Sequence, residues 1–125
     1  MNLSRIEKVQ TPAIASNAAT IQSDVLTGYV DYIKIEVRTA AGAASSNTCT
    51  VTVTDSVTGR TLLTATAITG VANEYPLQVQ AKGVTGGAIA AVYQRYFLAT
   101  QRLTFAVTSG TNTDYVIGYI VIVEA

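Results

Sequence analysis

The side chains able to do chemistry in this chain are eight carboxylates, Glu7, Asp24, Asp31, Glu36, Asp55, Glu74, Asp114 and Glu124, and the thiol of Cys49. Histidine is absent. That removes the commonest general base and metal ligand, so no Ser-His-Asp or Cys-His arrangement can form. Hydrolysis by a carboxylate pair needs two acids about 5–10 Å apart. Most of these acids fall in turns or on polar strand faces, where carboxylates are ordinarily solvated. Asp31 is the exception. It shares its parity with Ile33, Ile35 and Val37, so strict alternation turns it toward the core; at the start of a strand it would stay wet instead. Cys49 alternates with Thr48 and Thr50 and is expected to point inward, where an apolar setting raises a thiol pKa and leaves it inert.

Other motifs give no stronger site. No DxDxDG calcium loop occurs, and the oxygens of the Asp55 turn and of Asn112–Asp114 are explained by turn formation. "GVTGG" (83–87) lacks the Lys-Ser/Thr of a phosphate loop and is expected to be a flexible loop. Lys34, Glu36 and Arg38 alternate in sign on one strand face, either as a solvated stripe or as a docking face for a neighbouring subunit. Seven tyrosines could build a sugar-stacking platform or suit a protein interface. The reading therefore assigns no catalytic, cofactor-binding or metal-ligating residue and expects a protein that is not an enzyme.

Period-2 alternation organises the chain. Strands are expected at 29–38, 48–54, 61–68, 74–80, 103–109 and 115–125. "DSVTGR" (55–60) is a hairpin turn in which Asp55 bonds its own backbone and Gly59 supplies positive φ. Thr48, Thr50, Thr52 and Thr54 should share one outward face. Pro76 places its strand at an edge. "YVIGYIVIVEA" (115–125) is apolar on both faces, so it should lie centrally or be covered by another chain. Within 81–101 a loop and then a strand near 92–98 is expected, with a helical turn as the alternative. The first 20 residues show only a possible short strand at 5–10 and are read as an extended arm.

The chain has 125 residues, enough for one domain that buries its own core without disulfides or metals. It carries 8 basic and 8 acidic residues, and 13% of its residues are charged against the usual 25% or so. No basic cluster suggests nucleic acid. No apolar run approaches the roughly 20 residues that span a bilayer, and the N-terminus shows no signal-peptide pattern. Synthesis in a cytoplasm is expected, and the "Asn2-Leu3-Ser4" sequon is then chance. Short strands with glycine turns indicate an all-β protein, a single antiparallel β-sandwich over 21–125 preceded by the arm 1–20. Without Trp or a cysteine pair, a jelly roll is favoured over an immunoglobulin-like sandwich.

Three stretches, "MNLSRIEKVQTPAIASNAAT", "TCTVTVTDSVTGRTLLTATAITG" and "QRLTFAVTSGTNTDYVIGYIVIVEA", make the chain similar in composition and layout to the head decoration or cement proteins of tailed bacteriophages. The resemblance implies attachment outside a capsid, trimers, and arms clamping neighbouring capsomers. It shares no motif from which site residues could be transferred. The expected function is a homo-oligomeric virion protein, made in the host cytoplasm and bound to a major capsid protein at the capsid surface, with no nucleic-acid or membrane partner. The alternative is a carbohydrate- or receptor-binding module of a phage tail or fibre.

Overall fold

The computed structural model describes residues 4–70, 73–82 and 88–123. Among the described residues ten strands run in chain order: β1 (Ser4–Gln10), β2 (Ala19–Gln22), β3 (Leu26–Arg38), β4 (Cys49–Asp55), β5 (Thr61–Ile68), β6 (Asn73–Pro76), β7 (Gln78–Lys82), β8 (Ala88–Gln101), β9 (Leu103–Thr108) and β10 (Tyr115–Val123). The first sheet has the order β1-β10-β3-β8-β7, with β6 also pairing β3; the second has the order β2-β9-β4-β5. The pairings β1 with β10, β2 with β9, β3 with β8 and β4 with β5 are all antiparallel. They are the rungs of one long ribbon doubled back on itself, and successive rungs fall in alternate sheets. That is the jelly-roll arrangement of a β-sandwich, as alternation and composition led us to expect.

The core is the inward half of each alternating strand. Val51 and Val53 of β4, Leu103, Phe105 and Val107 of β9, Ile33, Ile35 and Val37 of β3, and Val116, Ile120 and Ile122 of β10 are all buried. Gly118 of β10 shows how tightly the sheets meet. A Cβ there would lie 2.6 Å from Cε2 and 3.0 Å from Cζ of Phe105. The missing side chain is what lets the opposite sheet's largest buried ring reach the β10 backbone.

Several expectations are corrected. Residues 4–10 do not stand apart as an arm: they pair with β10 along their whole length, Ser4 opposite Val123 and Gln10 opposite Ile117. The first rung of the roll therefore lies inside the proposed arm, and the boundary at 20/21 cuts β2. Thr11 reinforces the join, its amide donating to the Val116 carbonyl at 2.9 Å and its Oγ1 accepting from the Val116 amide at 3.0 Å. The expected strand 74–80 is two strands with different partners, β6 on β3 and β7 on β8. The strand expected near 92–98 spans Ala88–Gln101, where β-branched and aromatic preference prevails over the helical stripe. The expected loop 83–87, residues 124–125 with Glu124, and the Asn2–Leu3 part of the sequon lie outside the described residues.

Asp31 is the instructive error of periodicity. Val30 is buried and Ile33 is buried, yet they have opposite parity. The register with β10 shifts there, Ile122 facing Val30 and Val121 facing Tyr32. Asp31 is the extra residue of a β-bulge, so parity resets around it. It stays partly wet and ion-pairs with Arg95 at 3.2 Å. The bulge also divides β3: Leu26–Val30 pairs with β8, and Tyr32–Ile35 pairs with β6.

Candidate functional site

The described acids do not converge on one site: Glu36, Asp55 and Asp114 are buried, Glu7 and Asp31 are half-buried, and Asp24 and Glu74 are exposed. Asp55 is held at the β4–β5 turn, as its sequence context suggests. Its Oδ1 accepts from the amides of Val57 at 2.8 Å and Thr58 at 3.2 Å, and Gly59 has φ +74°. Two partners from β8 were illegible in the sequence: Tyr96 Oη and Gln101 Nε2 each donate to Asp55 Oδ2 at 2.6 Å. Burial raises the Asp55 pKa, but the hydrogen bonds from Tyr96, Val57 and Thr58 outweigh it and hold the carboxyl below its ordinary value. Tyr96 is pushed up by burial and then by donating to Asp55. Arg60 lies 5.6 Å from its ring centroid. With every oxygen engaged, Asp55 clamps the turn against β8.

Asp114 plays a similar part at the other end of β4. Its Oδ2 accepts from Ser45 Oγ at 2.6 Å and from Asn47 Nδ2 at 3.4 Å, fixing the small-residue loop 40–47 against the start of β10. Cys49 is buried as expected; desolvation, and then the charge of Asp114, raises its thiol pKa. Glu7 pairs with Arg5 at 3.3 Å, and Asp24 is exposed. Among the described residues no group of three His, Cys, Asp or Glu side chains is placed to hold a metal ion.

Two surfaces remain as candidates, the outer faces of the two sheets. On the second sheet the register lines up Thr20, Ala106, Thr52 and Thr64 in one row. Gln22, Thr104, Thr54 and Thr61 form the next, and Thr108 faces Thr50 beside them. None of these positions carries a charge. Thr50, Thr52 and Thr54 alternate outward as expected but are half-buried among their cross-strand neighbours, while Thr48 is exposed and lies before β4 begins. Gln22 Nε2 donates to Thr104 Oγ1 at 3.2 Å across the sheet.

The first sheet's outer face is charged and aromatic. The Lys34, Glu36 and Arg38 stripe is a linked ion cluster, not three solvated charges. Glu36 is buried; Arg38 Nη2 and Nε donate to its Oε2 at 2.9 and 3.3 Å, and Lys34 Nζ stands 3.6 Å from its Oε1. The bond to Glu36 raises the Arg38 pKa despite some desolvation. Across from the stripe, β10 presents Tyr115, Ile117, Tyr119 and Val121. Ile117 and Val121 are buried although they point away from the core, because β10 lies between β1 and β3. The two-sided apolar strand is thus central, with outward Ile117 and Val121 covered within the chain and Tyr115 and Tyr119 half-buried. A hollow of about 230 Å³ opens here, lined by Ile6, Tyr32, Lys34, Glu36, Glu74, Tyr119 and Val121. Lys34 Nζ sits 5.9 Å from the Tyr119 ring centroid, and its backbone partner across the β3–β6 pair is Glu74. Farther along the same face, Tyr29 and Phe97 meet edge-to-face with centroids 5.0 Å apart, both exposed.

No protein-family model and no curated protein sequence matches the chain. A search of solved structures finds similarity to a chain in the cryo-EM structure of the VLP of giant freshwater prawn Macrobrachium rosenbergii extra small virus. The match has 12% sequence identity and a TM-score of 0.34 over 98% of this chain and 78% of that one.

Proposed function

We propose that the chain is a non-enzymatic virion structural protein of the decoration or cement kind, stabilising a shell through contacts with copies of itself and with a major capsid protein. Its place is the capsid surface, and it is made in the host cytoplasm. The observation that carries this reading is the threonine face. Four strands present hydroxyls and methyls in register with no charge among them. A surface of this kind can be covered without desolvating an ion, whereas an ordinary solvent-facing sheet carries Lys and Glu. Repeated shallow contacts of this sort add through multivalency on a symmetric shell. The test is co-sedimentation of the purified chain with capsids assembled from the major capsid protein encoded nearest to it. Saturable binding lost on introducing Lys at Thr52 supports the reading; binding unchanged by that substitution removes the threonine face from it.

A second reading, a glycan- or receptor-binding module of a tail or fibre, is favoured by one specific observation. The hollow on the first sheet combines Tyr32 and Tyr119 with Lys34, Glu36 and Glu74, the mixture of aromatic surface and fixed polar groups that a sugar requires. A glycan array separates the two readings: a hit abolished by Tyr119→Ala selects the second.

A further inference from the structure

The sheet edges of the described residues differ in how well they could accept another strand. β2 offers four residues. β5 is broken by register shifts, and Ala67 within it adopts φ +55°, irregularities of the kind that blunt an edge. The pairing of β7 with β8 also slips, between Gln80 and Lys82. β1 differs from all three. It is seven residues long, pairs with β10 in unbroken register, and ends the order of the first sheet. At its middle, Ile6 is 64% exposed.

The order of side chains on this edge is self-complementary. In an antiparallel pairing of two β1 strands about a two-fold axis at Ile6, Ile6 meets Ile6 of the other copy. Arg5 then faces Glu7 of the other copy, and Ser4 faces Lys8. Moving the axis to Glu7 sets two carboxylates together, and moving it to Arg5 or Lys8 sets two like cations together. Only the Ile6 register brings opposite charges together twice and covers the exposed apolar side chain. Opposite charges directly across a strand pair favour the pairing and like charges oppose it. Within one chain Arg5 and Glu7 already lie side by side on the same face of β1, Nη2 3.3 Å from Oε2, so both are placed to exchange partners across the axis.

We propose that β1 is a homotypic docking edge: two copies of this chain join by β1–β1 addition centred on Ile6, giving a two-fold contact that continues the first sheet from one molecule into the next. Such a contact is isologous, each patch meeting its own copy, and its main-chain hydrogen bonds supply affinity while the charge order sets the register. This inference rests on the homo-oligomeric part of the proposed function and names its surface. The trimers implied by the resemblance would need a different, cyclic contact; the β1 edge makes pairs. Because Ile6 also lines the hollow, the pairing brings the two hollows together beside the axis.

The experiment uses the full chain. Light scattering after size exclusion at high protein concentration should give a dimer or a multiple of one. Arg5→Glu and Glu7→Arg should each lose it, since each sets like charges opposed across the axis, and the double reversal should restore it. Thermal melts check that all three variants fold. In parallel, Ile6→Cys should form a disulfide-linked dimer on mild oxidation. Directly opposed residues place Cβ atoms about 4.5–5.5 Å apart, close enough for a disulfide after a small adjustment. Val57→Cys, also highly exposed but far from β1, should cross-link at least about tenfold more slowly, since it lacks the raised effective concentration. A strict monomer for the wild type overturns both this inference and the oligomeric half of the proposed function. An oligomer that survives the single reversals, or that the double reversal fails to restore, overturns the β1 edge alone. Equal cross-linking at positions 6 and 57 does the same.

Discussion

The side chains that the outer face of the second sheet half-buries are Thr50, Thr52, Thr54, Thr104 and Ala106, none of them charged. On the outer face of the first sheet the buried side chains, among the described residues, are Glu36, Ile117 and Val121. The difference is one of what a covering surface would have to supply. A hydroxyl can keep bonding to a neighbouring strand or to interfacial water, and leaving one unpaired costs about 1–3 kcal/mol on protein scales. Glu36 is already spoken for by Arg38 and Lys34, and covering that cluster further means desolvating ions whose mutual attraction does not reliably repay the cost. One face therefore suits broad, unspecific cover, and the other suits a small or chemically matched ligand.

The largest expected effect breaks that contrast at its centre. Thr52→Lys sets a charge in the middle of the threonine face. If this is the covered face, shell binding should weaken by about 100-fold, roughly 3 kcal/mol, the scale of a charge buried without a partner. Co-sedimentation isotherms measure it. The same substitution should cost the free chain no more than about 1 kcal/mol, the span of strand preferences at a half-buried position. A comparable loss of binding from Lys34→Thr on the opposite face would show that the two faces do not differ in role.

Next in size is a test of the core that both faces share. Gly118→Ala pushes a methyl into Phe105 and should destabilise by about 2–3 kcal/mol through overpacking, read by urea denaturation. Phe105→Leu in the same chain should return part of that loss. Because the strain lies between the sheets, shell binding by the folded fraction should not change.

A third prediction concerns the turn that joins the second sheet to β8. Asp55 has a lowered folded pKa, so the stability it contributes is fully present above the unfolded value near 3.8 and is lost as pH falls through the lower folded value. Asp55→Asn should cost about 2 kcal/mol at neutral pH, the worth of hydrogen bonds to a charged acceptor. As pH falls through that lowered folded value and the wild-type carboxyl is itself protonated, the two chains should converge. Denaturation midpoints across that range measure it, and a pH-independent gap would show that the charge is not what matters.

The smallest effect sharpens the first face. Glu36→Gln leaves Lys34 and Arg38 without their shared anion and should destabilise by about 1 kcal/mol. That gap should narrow as salt rises, because both cations are partly exposed.

Much of the fold was legible because β4 and β9 alternate without interruption, and because β10, apolar on both faces, reads as a central strand. The inward sets Val51, Val53 and Phe105, Val107 could be read by counting in twos, as could the turn at Asp55 and Gly59. Counting failed where one extra residue resets the parity, at Asp31, since a bulge leaves no mark in composition. Over the first 20 residues the possible strand at 5–10 is β1, but its pairing with β10 and the short β2 were not readable, because β1 mixes charge with small patches of apolar surface and β2 has four residues. Their strand character comes from β10 and β9 beside them. The candidate faces were half visible. The threonine ladder of β4 stood out, but its extension through Thr20, Thr104 and Thr64 depends on pairing across the sheet. The links from Asp55 to Tyr96 and Gln101 span 41 and 46 residues, and no local spacing encodes them.

The first rung of the rolled ribbon has a mechanical consequence. Ser4 and Val123 face each other at the same end of the β1–β10 pair. Tension applied between those two residues loads the hydrogen bonds of that pair one after another, as a zip is opened, and so meets little resistance. Pressure on the broad faces is instead borne by Phe105 seated against Gly118, with both sheets in compression. A molecule built this way yields easily when drawn out by its ends and resists being flattened.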